Sequence, residues 1–425
     1  MKKLLLLALV LTGYVSSASA FGTIYFYCGE NKNSNNEGWK FVTNDNFKFT
    51  KISDTEDSYR ATIPGSYITS GDWYFRFGDA TTYEIGPKYN NGVDVTGSIL
   101  YSTNVDDVHD WGDKPAFKIG KNANALYVQV YILYNGSNWS VRAEVITSAS
   151  TYTIAFTNPD SWTPNVHAFV DGISLIDNGN WPGRSMTHDS TNGLYTVTIT
   201  NVIDDSKIIF SNNGATQTNS LPLVDDAIYN KTTKIAAQTV PVNSYGKATF
   251  CSQYPLDFST AEGLTAYIIT AANKATGTLT TEAVTKVPAN TGLYIEGAAT
   301  SYTVTPTATA SAINGNMLVG VTTDTPISQG NTNYILTVDG ANGTISTPKF
   351  FMVNENGNTV TAGKAYLVVP DGARQSFWFD NEANSINGVA QESQFEGQAY
   401  NLAGQRVAQP TKGLYIVNGK KVIKK

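Results

Sequence analysis

Residues 162–223 hold the side chains in this sequence best suited to chemistry. The stretch opens Trp162-Thr-Pro-Asn-Val-His-Ala-Phe169 and continues with Asn180-Trp-Pro-Gly-Arg-Ser-Met186 and Gly193-Leu-Tyr-Thr-Val-Thr-Ile199. It closes with Lys207-Ile-Ile-Phe-Ser-Asn-Asn-Gly214 and Gln217-Thr218. The pattern is strand, loop, Trp-Pro-Gly turn, strand, strand and a Gly-Asn-rich turn. Proline fixes its own φ and glycine permits unusual ones, so Pro182-Gly183 should form a rigid corner. An indole held just before such a corner has a restricted orientation, and Trp181 can stay partly exposed. A fixed aromatic plane sheds water against the C–H face of a sugar, while nearby amides and hydroxyls satisfy the sugar's hydroxyls. Gln217 and Thr218 are the polar candidates, with Asp171 and Arg184 behind them.

Other residues of the stretch read as structural. Trp162, Met186 and Phe210 are expected in the core, and Arg184 is equally readable as a solvated side chain. His167 and Phe169 share one face of their strand by alternation, and either face could be the buried one.

Catalysis finds little support. The sequence has three histidines, His109, His167 and His188, and lacks a Gly-x-Ser-x-Gly elbow, a His-Glu-x-x-His helix and a Gly-x-x-x-x-Gly-Lys-Ser/Thr phosphate loop. Acidic residues are plentiful, but a glycosidase needs two of them facing one bond, and sequence spacing cannot identify such a pair. The expectation is a non-enzyme without catalytic residues or cofactor. The only cysteines, Cys28 and Cys251, form no metal-ligand cluster and read as small buried hydrophobes.

The elements that must position these residues are strands. Period-two alternation recurs in Thr23–Tyr27, Trp73–Phe77, Ala125–Leu133 and Tyr195–Ile199, each bounded by Gly, Asn or Asp, and helical spacing is nearly absent. Short strands at close intervals imply sandwiches or barrels, so the expected fold class is all-β and multi-domain. Composition agrees: 425 residues suggest several domains, charged residues are only 15%, and aromatics reach 12%.

Net charge is −6, with cations concentrated at the ends. Arg406, Lys412, Lys420, Lys421, Lys424 and Lys425 have no acid among them, and Lys2 and Lys3 begin the chain, so the remainder is more acidic still. A nucleic-acid binder needs the opposite sign. Met-Lys-Lys, an apolar run over Leu4–Val10 and Ala18-Ser19-Ala20 read as a signal peptide over 1–20. No cysteine follows at lipoprotein spacing, and no later run reaches the length of a membrane helix.

Four segments follow. Residues 21–147 are rich in Trp and Tyr, and residues 151–233 contain the stretch above. Residues 236–381 shift to Ala, Thr and Gly, and residues 385–425 form a short basic tail. Within the third segment, Asn290–Gly297 and Ala362–Pro370 both place apolar residues after a glycine turn, which fits paired strands.

Three resemblances attach to these segments. Residues 151–233 resemble carbohydrate-binding module family 26, a starch-binding β-sandwich. The likeness rests on the Trp162 lead-in, the Val166–Phe169 strand, Trp-Pro-Gly-x-x-Met at 181–186, the Ile-Ile-Phe strand and Gln217-Thr218. It implies binding of α-1,4-glucan by aromatics at His167, Phe169 and Trp181, with Gln217 bonding hydroxyls. The family usually carries tyrosines or a tryptophan where this chain has His167, Phe169 and Asp171. Residues 21–147, through Thr23–Tyr27, Gly38-Trp39-Lys40 and Asp72–Phe77, loosely resemble the sandwich modules of Sus-type starch-binding proteins. Trp39, following the Asn-rich run 33–36, is a loop candidate for a second platform.

The tail, Ala399–Val407, Pro410–Val417 and Asn418–Lys425, resembles the type A sorting domain of type IX secretion. It implies a small β-module read by the secretion machinery, with the protein then released or attached through lipopolysaccharide. Residues 236–381 resemble β-domains that often precede this tail and read as a spacer. The combined expectation is capture of starch or related α-glucan outside the cell or at its surface. A structural or adhesive surface protein, or an extracellular glycan hydrolase, are the alternatives.

Overall fold

The structure is a computed structural model that describes residues 22–29, 39–43, 47–80, 84–87, 92–97, 101–104, 116–330, 332–337, 348–354, 358–371, 374–379, 399–401, 404–407, 413–417 and 420–424. The segment read as a signal peptide, residues 1–20, lies outside the described residues. The protein is all-β: its named helical elements among the described residues are the short 3-10 turns Gly65–Tyr67 and Phe258–Thr260. No helix among them is long and apolar enough to cross a membrane. The chain divides into two compact units, one ending at Ala236 and one beginning at Ala237.

The first unit contains two β-sandwiches. In the first sandwich the strands are β1 (Tyr25–Gly29), β2 (Trp39–Phe41), β3 (Thr50–Lys51), β4 (Asp57–Pro64), β5 (Trp73–Gly78) and β6 (Glu84–Ile85). They are followed by β7 (Val93–Asp94), β8 (Tyr101–Asn104), β9 (Phe117–Ile119), β10 (Tyr127–Tyr134) and β11 (Asn138–Ile146). One sheet runs β2-β1-β5-β9-β7 with β6 on β5, and the other runs β3-β4-β10-β11-β8. Alternation in β5 sends Trp73, Phe75 and Phe77 inward, where they meet Phe26, Phe117 and Trp139. These rings interlock between the sheets with the aliphatic side chains of the same core.

The second sandwich comprises β12 (Ser150–Phe156), β13 (Pro164–Val170), β14 (Ile173–Ser174), β15 (Arg184–Ser185) and β16 (Thr187–Asp189). Then come β17 (Leu194–Val202), β18 (Lys207–Asn212), β19 (Leu221–Pro222) and β20 (Ile228–Tyr229). Its sheets are β16-β17-β12-β20 and β14-β13-β18-β19, with β15 also pairing β13. Ile154 and Phe156 of one sheet face Val166, Ala168, Val170, Ile208 and Phe210 of the other, and Phe156 stacks on Phe210 at 4.5 Å. The sandwiches share a junction. Tyr127, from β10, is buried in the second core, donates to the Asn201 carbonyl at 3.1 Å and accepts from the Ile176 N–H at 2.8 Å.

In the second unit, Lys247–Phe250, Leu293–Gly297, Leu264–Asn273, Thr278–Val284, Ser376–Phe379, Lys349–Met352, Asn333–Thr337, Lys364–Val368 and Leu318–Val321 follow one another in a nine-stranded sheet. The sheet curls until its ends approach: Thr291 bridges Val319, and the Cys251 N–H donates to the Gly363 carbonyl at 3.0 Å. The approach requires glycine, because a Cβ at Gly292 would lie 2.7 Å from the Gly320 nitrogen. Both glycine-led phrases read from the sequence are strands here, each paired with other neighbours. Four more strands, Gln238–Pro241, Ser301–Pro306, Leu256–Asp257 and Lys286–Val287, form a smaller sheet. At the C-terminus, Ala399–Tyr400, Arg406–Val407, Gly413–Val417 and Lys420–Lys424 form a small antiparallel sheet, while residues 385–398 lie outside the described residues. Cys28 and Cys251 are buried and unpaired, and burial pushes their thiols up to about 12 and about 11 respectively.

Candidate functional site

The pleat of β13 divides its side chains. Val166, Ala168 and Val170 enter the core, and Asn165, His167 and Phe169 point to the outer face of the sheet. His167 and Phe169 stand two residues apart and stack on each other, with centroids at 5.5 Å and planes 15° apart. Each therefore spends one ring face on the other, and both are half-buried.

Trp181 reaches this ridge from the loop between β14 and β15. The Gly183 N–H donates to the Asn180 carbonyl at 2.7 Å and closes a four-residue turn with a cis Trp181–Pro182 peptide. Gly183 is pressed against β13 at φ +87°, where a Cβ would fall 2.0 Å from the Val166 carbonyl oxygen and 2.7 Å from the His167 Cα. Only glycine fits there, and the close approach sets the indole beside His167. The two rings meet edge to face, with centroids 5.8 Å apart and planes at 75°. On its other side the turn lies over Gly214, where a Cβ would stand 3.4 Å from the indole Nε1 and 3.5 Å from the Pro182 ring. Trp181 remains 42% exposed, the only tryptophan of that exposure among the described residues.

The loop ahead of the turn is held from within. Asn178 is fully buried; its Nδ2 donates to the Ile176 carbonyl at 2.9 Å and the Thr200 carbonyl at 2.6 Å, and its Oδ1 accepts from the Thr200 N–H at 3.2 Å. Asn201 adds a bond from its Nδ2 to the Ile176 carbonyl at 3.1 Å. These side chains supply partners that a loop this close to the core lacks from its own backbone.

The polar candidates separate. Gln217 is exposed and bridges Ser211, which pairs with Asn165; the register puts Gln217 on the same outer face as His167 and Phe169. Thr218 is buried, and its hydroxyl accepts from the Phe210 N–H at 3.1 Å and donates to the Asn219 carbonyl at 2.8 Å. Asp171 has only 5% of its side chain exposed and is bound to Arg60 of the first sandwich. Arg184 is exposed, with Nη1 donating to the Thr198 carbonyl at 2.9 Å on the neighbouring sheet. The fold thus brings Trp181, His167 and Phe169 together and sets Gln217 on the same face, and it employs Thr218 and Arg184 in holding the sandwich together and Asp171 in joining it to the first. The Trp39 side chain lies outside what is described.

Trp162, Met186 and Phe210 pack with the core. Trp162 lies 5.9 Å from Phe156, with Lys231 over its ring at 5.2 Å. His167 is the one titratable ring of the ridge. Its Nδ1 is enclosed without a hydrogen-bond partner, and burial holds its pKa below the ordinary 6.5. Neutral imidazole is accordingly the form that suits the niche.

Sequence reasoning missed Asn178, which holds the loop that carries Trp181. The signal was the run Asn178-Gly-Asn180 directly before the Trp-Pro-Gly corner, which reads equally well as an ordinary turn.

The geometry is therefore that of a β-sandwich binding module: one exposed indole fixed by a tight turn, a flanking aromatic pair and a nearby amide. The comparison with protein families agrees, since the model for starch-binding module 26 matches residues 154–222. That span covers the second sandwich from within β12 to β19, including every residue of the aromatic ridge. Comparison with curated proteins and with solved structures gives no match.

Proposed function

We propose that the protein captures starch or a related α-glucan without cleaving it, through the outer face of the second sandwich. The observation that carries this reading is Trp181, 42% exposed and set at 75° to the His167 ring within the matched module. The indole stacks on a glucose ring, the Phe169–His167 pair meets the adjoining part of the chain, and Gln217 bonds hydroxyls. An angled surface of this kind suits a glucan whose successive rings turn, and a flat ribbon would touch only one of its planes.

The remaining segments fit an exported role. The N-terminal residues act as a secretion signal, the basic C-terminal sheet as a type IX sorting module, and residues 236–381 as a spacer. On this reading the mature protein is released or held on the outer surface through lipopolysaccharide. The first sandwich, with Trp39, is a candidate second contact, and two weak sites on one chain would raise avidity for a polymer.

Affinity electrophoresis in gels containing amylopectin, pullulan, dextran or xylan tests the proposal. Retardation by amylopectin and pullulan is expected, with loss in Trp181→Ala at unchanged circular dichroism. Unretarded migration in all four gels rejects the glycan reading, and release of reducing sugar from soluble starch rejects the non-catalytic one.

A further inference from the structure

Asn178 and Asn180 differ sharply although a single glycine separates them. Asn178 is buried and uses its side-chain amide three times within the fold. Asn180 is exposed, and its turn is closed by its backbone carbonyl alone. The Asn180 side chain takes no part in closing the turn. It lies sideways, with Oδ1 accepting from the Ser174 hydroxyl at 3.4 Å, and no bond to the protein occupies Nδ2. Ser174 is in turn the residue directly opposite Phe169 in the β13–β14 pairing. One end of the amide is steadied on the Phe169 side of the ridge, and the chain at its other end continues into Trp181.

We propose that Asn180 is a specificity-determining contact of this face, held at one end by Ser174 and offering the other end of its amide to ring hydroxyls of the sugar stacked on Trp181. The assignment rests on the α-glucan reading above and goes beyond it by naming a second polar reader on the side of the ridge away from Gln217. A primary amide carries two donors and an acceptor, and neighbouring sugar hydroxyls offer the complementary set. Because Ser174 restrains the side chain beforehand, less conformational freedom is lost when ligand arrives. Substituting the side chain leaves the backbone bond that closes the turn in place, so the contact can be removed without removing Trp181.

The test uses the full-length protein, calorimetry and two ligand sets: maltotriose and its monodeoxy analogues. Asn180→Ala should bind maltotriose about three- to tenfold more weakly than wild type, the loss expected for one neutral hydrogen bond. Wild type should lose a similar factor with one particular deoxy analogue, and Asn180→Ala should lose nothing further with that analogue. Trp181 fluorescence should be unchanged. Wild-type affinity in Asn180→Ala, an equal loss across every analogue, or a shifted Trp181 emission would each overturn the assignment while the starch reading stands. Failure of wild type to bind maltotriose and to be retarded by amylopectin removes both.

Discussion

Arg60 and Asp171 join the two sandwiches of the first unit through a two-pronged ion pair, Nε to Oδ2 at 2.7 Å and Nη2 to Oδ1 at 3.0 Å. Arg60 extends its remaining nitrogen, Nη1, to Asp205 at 2.6 Å, and the Thr62 hydroxyl donates to Asp171 at 2.5 Å. Burial opposes the charge on Arg60, yet the bonds and charges of Asp171 and Asp205 outweigh it and raise its pKa further. Asp171 lies two residues beyond Phe169, so the strand bearing the ridge is anchored at that end to the first sandwich.

Removing one partner of this pair should cost more than removing both. Arg60→Ala leaves the Asp171 carboxylate enclosed without its cation, and about 3–5 kcal/mol of stability should be lost. Arg60→Met combined with Asp171→Leu, which replaces charge by apolar volume, should cost less than either single change. Urea melts of wild type, Arg60→Met, Asp171→Leu and the double variant check the ordering. Additive losses in the double variant would show that the two side chains do not act as a pair.

Asn178 supports the loop from a position that no ligand reaches. Asn178→Ala would remove the side-chain partners of the Thr200 N–H and carbonyl, while Asn201 still donates to the Ile176 carbonyl. A loss of about 2–4 kcal/mol is expected from unmade bonds of this kind. Because Trp181 rides on the same loop, glucan retardation should weaken even where the variant is fully folded. Thermal melts and gel retardation, measured at one temperature below the transition, separate the two effects.

The fold class was legible because alternation is a local signal. Trp73, Phe75 and Phe77 announce an inward face in sequence and form one in the structure. Trp181 was legible for a similar reason, since its exposure follows from the neighbouring Pro182-Gly183 corner. The polar partners were not. Thr218 and Asp171 have the chemistry of sugar contacts, but their use depends on what other segments bring to them. Phe210 meets Thr218 from eight residues away, and Arg60 meets Asp171 from a different sandwich. Nothing in the sequence near Asp171 signals an arginine 111 positions earlier. His167 was ambiguous between core and surface, and the structure places it between the two, on the outer face with one nitrogen enclosed.

Gly183 should tolerate no side chain. A methyl group there meets the Val166 carbonyl at 2.0 Å, and the backbone sits at φ +87°, where alanine is disfavoured. Gly183→Ala must lift the turn away from β13, and a cost of about 1–3 kcal/mol is expected from the backbone conformation alone. The indole then loses its fixed place beside His167. Amylopectin retardation should fall toward that of Trp181→Ala, whereas Gly179→Ala, with no close contact but also at positive φ, should show the milder backbone effect alone.

His167 gives the second sandwich an acid sensitivity of definite sign. In the unfolded chain the imidazole titrates at its ordinary 6.5, and burial in the fold depresses that value. The native state therefore binds fewer protons than the unfolded state in the interval below 6.5, and its stability falls as pH falls through that interval. Well above 6.5 both states are neutral at this position and the contribution is constant. Protonation would also place an N–H at Nδ1, where no acceptor stands. Wild type should lose stability between about pH 7.5 and about pH 5 in excess of the loss shown by His167→Phe, which keeps an aromatic ring but cannot titrate. Denaturant midpoints of both proteins across that range supply the check. Parallel curves would mean that the imidazole is as easily protonated in the fold as outside it.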